Sequence, residues 1–236
     1  IEDLLASYKQ EPGGGKLQEK NPKWLNDDYV KFIRYGQHYI EKNGEGILAY
    51  ITNHSYLDNP TFRGMRWSLM QTFDDIYILD LHGNAKKKES TLDGGKDENV
   101  FDIQQGVAIA IMVKKSQNSK KNLANIWHGD LYGLRENKYK ILHKSSIHNL
   151  CNAKINPSAP HYACVIRNET LVQEYQKGFS LQELFPVNSV GIVTSRDQLV
   201  IDEDKEMFVI LNMCFLMVYL YNNRNHLVHL EHLNAM

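Results

Sequence analysis

Cysteine is scarce in this chain, positive charge is not in excess, and no apolar run is long enough to cross a bilayer. The three cysteines among 236 residues, Cys151, Cys164 and Cys214, stand too far apart for a disulfide framework or a short-spaced metal-ligand pair, and such usage fits a reducing, cytoplasmic setting. Lys and Arg number 27 against 28 Asp and Glu, a net charge of −1. No global positive field therefore draws the chain to DNA or to a membrane surface, and any nucleic-acid contact has to be local. The longest apolar run, "MFVILNMCFLMVYLY" from Met207 to Tyr221, is interrupted by Asn212 and falls short of the roughly 20 residues that a spanning helix needs, so no membrane partner is expected. "IEDLLASYKQ" lacks the basic stretch followed by an apolar one that marks a secretion signal. Beginning at Ile1 rather than at methionine, the sequence reads as a piece of a longer polypeptide.

What is present is an alternation of helical and strand-like segments. "EPGGGKLQEKNPKW" has the composition of an exposed, mobile loop. In "LNDDYVKFIRYGQHYIEKNGEG", Tyr29, Phe32, Ile33, Gly36 and Ile40 recur at helical spacing, with Asp27 or Asp28 suited to the amino-terminal cap and Gly44 and Gly46 past the end. "GILAYITN" is a continuous apolar run that ends in polar residues, the pattern of a strand buried on both faces. "NPTFRGMRWSLMQTF" is a helix opened by Asn59, with Pro60 in its first turn. "DIYILDLHGN" and "GVAIAIMVKK" are further strands, separated by the charged loop "AKKKESTLDGGKDEN". This order predicts an α/β fold with a central, largely parallel sheet. After Lys121 the texture changes to shorter mixed elements, which places a domain boundary near residue 120 and an α+β piece beyond it.

In doubly wound sheets ligands bind outside the carboxyl ends of the strands, which nominates "TNHSYLDN" and "LHGNAKKK". Thr52 and Asn53 open the first of these, although by spacing alone ordinary turn chemistry is the favoured account of them. Phe101, with Asp102, Gln104 and Gln105, directly precedes a strand that otherwise reads as pure core. The ring can close the sheet as core, or it can offer a flat face to a planar ligand. Two uncharged amides at a buried strand's entrance favour the second reading, because buried amides require hydrogen-bond partners. Lys86, Lys87 and Lys88, and then Lys114, Lys115, Lys120 and Lys121, form small basic clusters that are either solvated or able to hold phosphates. His226, His229 and His232 recur every third residue, which spreads them around a helix axis rather than onto one ion; no metal site is expected. "DEDKE", residues 202 to 206, holds an acid-x-lysine fragment seen in metal-dependent nucleases, but no second acid can be assigned to it.

Taken together, "EPGGGKLQEKNPKWLNDDYVKFIRYGQ", "NGEGILAYITNHSYLDNPTFRGMRWSLMQTFDDIYILDLHGN", "DENVFDIQQGVAIAIMVKK", "LYGLRENKY" and "FPVNSVGIVTSRD" resemble the amino-methyltransferase and early target-recognition regions of type ISP and related single-chain restriction-modification enzymes. The resemblance covers roughly residues 1 to 206. It implies the carboxyl-terminal half of a Rossmann-like sheet over residues 1–121, the start of a DNA target recognition domain over 122–206, and an atypical hydrophobic tail over 207–236. It further implies transfer of a methyl group from S-adenosylmethionine to the N6 amine of a flipped adenine in double-stranded DNA, within a parent polypeptide that supplies the other half. By the same resemblance Phe101 matches the aromatic that stacks on the extruded base. Phe32, with Tyr29 one turn earlier, matches the residue against the methyl donor's adenine, and Thr52 and Asn53 border the same crevice. Lys86, Lys87, Lys88, Arg135 and Arg196 are the expected DNA contacts, together with Arg167 if the chain is instead a DNA-binding or specificity module without chemistry of its own. The family's catalytic Asn-Pro-Pro-Tyr and its glycine-containing donor loop are absent, and "NPKW" does not replace the former. The fragment alone is therefore expected to be inactive.

Overall fold

The amino-terminal segment folds as a short helix, α1 (Glu2–Leu5), which passes through a 3-10 turn with Leu5 and Tyr8 fully buried. The glycine-rich stretch that follows is pinned rather than loose. Gln10 and Lys16 pair across it, Leu17 is buried, and Arg63 Nε donates to Glu11 Oε2 at 2.7 Å while Arg63 Nη1 donates to Glu19. α2 (Asp28–Asn43) opens after Asp27, which is extended and makes no side-chain capping bond, and ends at Gly44, whose N–H returns to the Ile40 carbonyl. Its apolar face, with Val30, Ile33 and Ile40, is buried, while Phe32, Tyr35 and Tyr39 face outward. The structure, a computed structural model, describes residues 1–19, 22–116, 122–175, 177–179 and 181–186.

β1 (Gly46–Asn53) follows α2; then Asn59 caps a 3-10 turn carrying Pro60, which runs into α3 (Arg63–Thr72) and β2 (Asp75–Asp80). β3 (Val107–Lys114), β4 (Asn125–Asp130), α4 (Arg135–Lys144), α5 (Ile147–Leu150) and β5 (Ala153–Ile155) complete the sheet and its second cover. The five strands lie in the order β1-β3-β2-β4-β5. β3 is antiparallel to both β1 and β2, β4 is parallel to β2, and β5 is antiparallel to β4. The sheet is thus mostly antiparallel, which corrects the expectation of a largely parallel one. A strand covered on both faces gives the same unbroken apolar run in either direction, so the run in β3 reported its burial and not its polarity.

The sheet also continues past residue 121, where the sequence reading placed a boundary. β4 shares a ladder with β2 from Asp75↔Asn125 to Asp80↔Asp130, and the compact unit runs from Ile1 to Glu169. In the second unit, Thr170–Met236, the described residues carry most of α6 (Glu169–Tyr175) and all of α7 (Leu181–Leu184). The hydrophobic tail, the histidine triplet and "DEDKE" lie outside the described residues.

One face of the sheet packs Leu48, Ile76, Ile78, Ala110, Met112 and Ile126 beneath α2 and α3. The opposite face packs Leu79, Val107, Leu81 and Val100 with Cys151 and the apolar side of α4 and α5. Each fully buried aliphatic side chain here contributes about 1.5–3 kcal/mol. On β1 the second face is left open, with Ile47 68% and Ile51 43% exposed. Among the described residues no helix is long and apolar enough to cross a membrane.

Candidate functional site

β1, β2 and β4 run in the same direction, so their carboxyl ends, at Asn53, Asp80 and Asp130, meet at one edge, where β3 also enters at Val107. Between β2 and β3 the chain makes a long excursion, and its return, "DENVFDIQQ", is held by one face of α4. Arg135, Lys138 and Tyr139 sit at helical spacing on that face. Successive carbonyls of the loop accept from them: Glu98 O from Lys138 Nζ at 2.6 Å, Asn99 O from Arg135 Nε at 2.7 Å, Val100 O from the Tyr139 hydroxyl at 2.5 Å and Phe101 O from Arg135 Nη2 at 2.9 Å. Lys138 is fully buried and pairs with the equally buried Asp97 at 2.8 Å. Asp97 in turn accepts from the backbone N–H groups of Gly83 and Gly133 at 2.6 and 2.7 Å.

Asn99 fixes the loop from inside. Its Nδ2 donates to the carbonyls of Gly83 and Gln105 at 3.1 and 2.6 Å, and its Oδ1 accepts from the Phe101 N–H at 2.9 Å. Gly83 is required at this contact, since its φ is +78° and a Cβ would come within 2.4 Å of the Asn99 Cα. With the backbone so constrained, the Phe101 ring is left 43% exposed on a hollow of about 630 Å3 that also takes in Gly83, Asn99, Ile103, Gln104 and Arg135. That volume falls within the range of roughly 300–1,000 Å3 typical of small-ligand sites.

A second hollow of about 230 Å3 opens at the same edge, among His54, Asp80, His82, Glu89, Asp130 and Tyr132. His54 Nδ1 lies 3.0 Å from Asp80 Oδ1, and its ring rests on Gly106, where a Cβ would approach it to 2.4 Å. His82 takes a left-handed φ of 52°, a conformation costing on the order of 1 kcal/mol. It is held there by its N–H to Asp80 Oδ1 at 2.9 Å, by Nε2 at 2.8 Å from Asp130 Oδ1, and by the Tyr132 ring stacked on it at 3.8 Å. Burial alone would push the His82 imidazole down, but the hydrogen bond to Asp130 and the carboxylates of Glu89 and Asp80 outweigh it and bring its pKa to about 9. Asp80 is itself raised by burial and lowered by His54 and His82, with the net shift downward. His128 is 1% exposed, burial holds it below the ordinary imidazole range, and neither ring nitrogen has a hydrogen-bond partner among the described residues.

The residues nominated from sequence fall in different surroundings. Phe101 is exposed on the first hollow, and Gln104 and Gln105 are exposed too, so the premise that their amides are buried and need a ligand does not hold. Phe32 is 58% exposed on α2. Tyr29 packs against Tyr56 and Phe62, with its hydroxyl buried and without a hydrogen-bond partner among the described residues. Thr52 is half-buried at the end of β1, and Asn53 spends its side-chain oxygen on the N–H and hydroxyl of Ser55, the turn chemistry weighed against it above. Lys86, Lys87 and Lys88 are exposed in the loop after β2, and Lys87 reaches the second hollow. Arg135 is committed to the Phe101 loop and to Asp102, at 2.8 Å, rather than free to read a base. Arg167 is exposed, and Arg196 lies outside the described residues. Sequence reading missed Asp97, Asn99, Lys138 and Tyr139 as the holders of the loop, and His54, Asp80, His82, Glu89 and Asp130 as a cluster. The strand-end rule had nonetheless selected the stretches carrying His54 and His82.

No protein-family model and no curated protein matches the chain. Solved structures do. The fold is similar to part of the DrdV–DNA complex, with 24% identity, a TM-score of 0.64 and coverage of 92% of this chain and 22% of that one. It is similar to the ATP-dependent Type ISP restriction-modification enzyme LlaBIII bound to DNA, with 27% identity, a TM-score of 0.64 and coverage of 89% and 14%. A nuclease-deletion mutant of the Type ISP restriction-modification enzyme LlaGI, in complex with a DNA substrate mimic, matches with 23% identity, a TM-score of 0.57 and coverage of 73% and 13%. The chain thus spans less than a quarter of the length of any of these three, and at 24% and 23% identity the first and third speak to fold alone.

Proposed function

We propose that this chain is part of a DNA restriction-modification enzyme and forms the second half of its adenine N6 methyltransferase sheet, followed by the beginning of the region that recognises the target. The observation that carries this reading is Phe101. An aromatic ring at the mouth of the sheet stands open to solvent on a loop whose polar groups are already satisfied, so its face is free to stack on an extruded base. The strand arrangement supports it, since an antiparallel β3 lies between β1 and β2, which run together. β1 supports it further. Among the described residues its outer edge is unpaired, and Ile47 and Ile51 are exposed beside it, as a sheet that continues into another part of a parent polypeptide requires. The similarity at 27% identity to a Type ISP enzyme bound to DNA points to the same class and to double-stranded DNA as partner.

S-adenosylmethionine is the methyl donor in this reading. Of the residues nominated to hold it, Phe32 offers an exposed ring, whereas Tyr29 is half-buried against the core and Asn53 is engaged with Ser55. The described residues therefore do not by themselves enclose a donor pocket, and the remainder is assigned to the parent chain. The part played by this chain is to seat the base: Phe101 supplies the face, and α4 keeps that face in place. In the intact parent enzyme, Phe101→Ala is expected to lower methyl transfer from labelled S-adenosylmethionine roughly 5- to 150-fold, the equivalent of about 1–3 kcal/mol of lost stacking, while the fold persists. The isolated chain should transfer none. Unchanged methylation by the variant would overturn the reading in favour of a specificity module without catalysis.

A further inference from the structure

At the second hollow the geometry points to a binding site for a divalent first-row transition ion, Zn2+ or a chemical equivalent, held by His54, His82 and Glu89. One ligand atom from each of these lies within 4.8 Å of the others. Both imidazoles have one nitrogen fixed by a carboxylate: His54 Nδ1 is 3.0 Å from Asp80 Oδ1, and His82 Nε2 is 2.8 Å from Asp130 Oδ1. That leaves His54 Nε2 and His82 Nδ1 for an ion, and it is the outer arrangement that sets the tautomer and ring orientation of metal-binding histidines. His82 Nδ1 stands 3.9 Å from Glu89 Oε2. This is too long for a hydrogen bond, and about half an ångström more than separates two tetrahedral ligands each about 2.1 Å from one ion. Glu89 Oε2 is steadied by the Asn84 N–H at 2.8 Å. The Asn84 side-chain amide, 3.2 Å from His54 Nε2, is the contact an ion would take over.

Two further observations favour a cation here. The lining carries the carboxylates of Asp58, Asp80, Glu89 and Asp130 against a single lysine, Lys87, and against His82, whose Nδ1 proton the ion would displace, a balance that repels phosphate and attracts positive charge. His128, buried with neither ring nitrogen hydrogen-bonded among the described residues, has its Nδ1 3.6 Å from Asp130 Oδ2, the carboxylate that orients His82. Such an orphaned imidazole is uncommon in a finished core. Two imidazoles and one carboxylate form a ligand set suited to zinc, with the cavity leaving room for water at the fourth position. The ion would tie the end of β1 to the end of β2 and to the loop carrying Glu89. This inference does not depend on methyl transfer.

The test is titration of the untagged, chelator-stripped full chain with Zn2+ against a chromogenic competitor, alongside the visible spectrum of the Co2+ form. Wild type is expected to bind one equivalent more than His82→Ala, and the tetrahedral Co2+ bands should vanish in that variant. Glu89→Gln should weaken binding at least tenfold, and Asp130→Asn, which removes the orienting carboxylate, roughly 10- to 100-fold. His143→Ala, on the exposed side of α4, should change nothing and so controls for surface histidines. Absence of stoichiometric binding by wild type would overturn the inference, as would equal stoichiometry and affinity in His82→Ala and Glu89→Gln. Should His82→Ala fail to fold, the isosteric Glu89→Gln decides.

Discussion

The two hollows at the carboxyl edge of the sheet share the loop after β2, yet they are finished differently. Around Phe101 the charges are paired: Asp97 with Lys138, Asp102 with Arg135, and Glu98 with Lys96 at 2.7 Å. The loop's carbonyls are satisfied by α4, so what remains unspent is an apolar ring. Around His82 the carboxylates outnumber the bases, and the buried imidazole of His128 has no hydrogen-bond partner among the described residues, so what remains unspent is charge. The two hollows thus differ in what they leave unspent: an exposed aromatic face on one side, an excess of carboxylates on the other.

The contrast breaks most sharply at Lys138. Lys138→Met leaves Asp97 charged and buried without its partner, and urea unfolding should show a loss of about 3–5 kcal/mol. A loss below about 1 kcal/mol would mean that α4 does not hold the Phe101 loop. Asn99→Ala should cost less, about 1–3 kcal/mol, since the Gly83 and Gln105 carbonyls and the Phe101 N–H lose one buried amide. Hydrogen exchange at the Phe101 amide should accelerate in this variant while exchange in β1 stays unchanged. The smallest effect is chemical. Burial pushes the Cys151 thiol up to about 11, so about one molecule in a thousand carries the thiolate at pH 8 and native alkylation there should be slow. Peptide mapping should find Cys151 faster to label in Lys138→Met, because that thiol packs in the apolar cluster that α4 covers.

Much of the scaffold was legible in the sequence. "GILAYITN", "DIYILDLHGN" and "GVAIAIMVKK" fall on β1, β2 and β3, and Asp27, Asn59 and Pro60 occupy the helix-opening positions expected of them. The direction of β3 was not legible, because burial on both faces leaves no mark of polarity. Nor was β4, whose "NIWHGD" mixes apolar residues with the polar groups of a strand end. The sites were legible only as places. His54 and Asp80 lie 26 residues apart and His82 and Asp130 48, while Arg135 and Lys138 reach back 34 and 40 residues to the loop they hold. Contacts at that range depend on how the sheet closes, which local spacing does not encode. Arg135 shows the consequence, since a lone arginine near a basic loop reads as a DNA contact until its carbonyl partners are seen.

The proposed role of the Phe101 ring is that of a seat for an extruded base and not of part of the core. It is tested most directly by comparing wild type and Phe101→Ala for affinity to a duplex carrying one unpaired adenine, with urea unfolding of both proteins alongside. The predicted result is a loss of affinity of roughly 5- to 150-fold, with stability unchanged to within about 0.5 kcal/mol. Equal affinity, or a destabilisation of about 3–5 kcal/mol as for a deleted core aromatic, would contradict it.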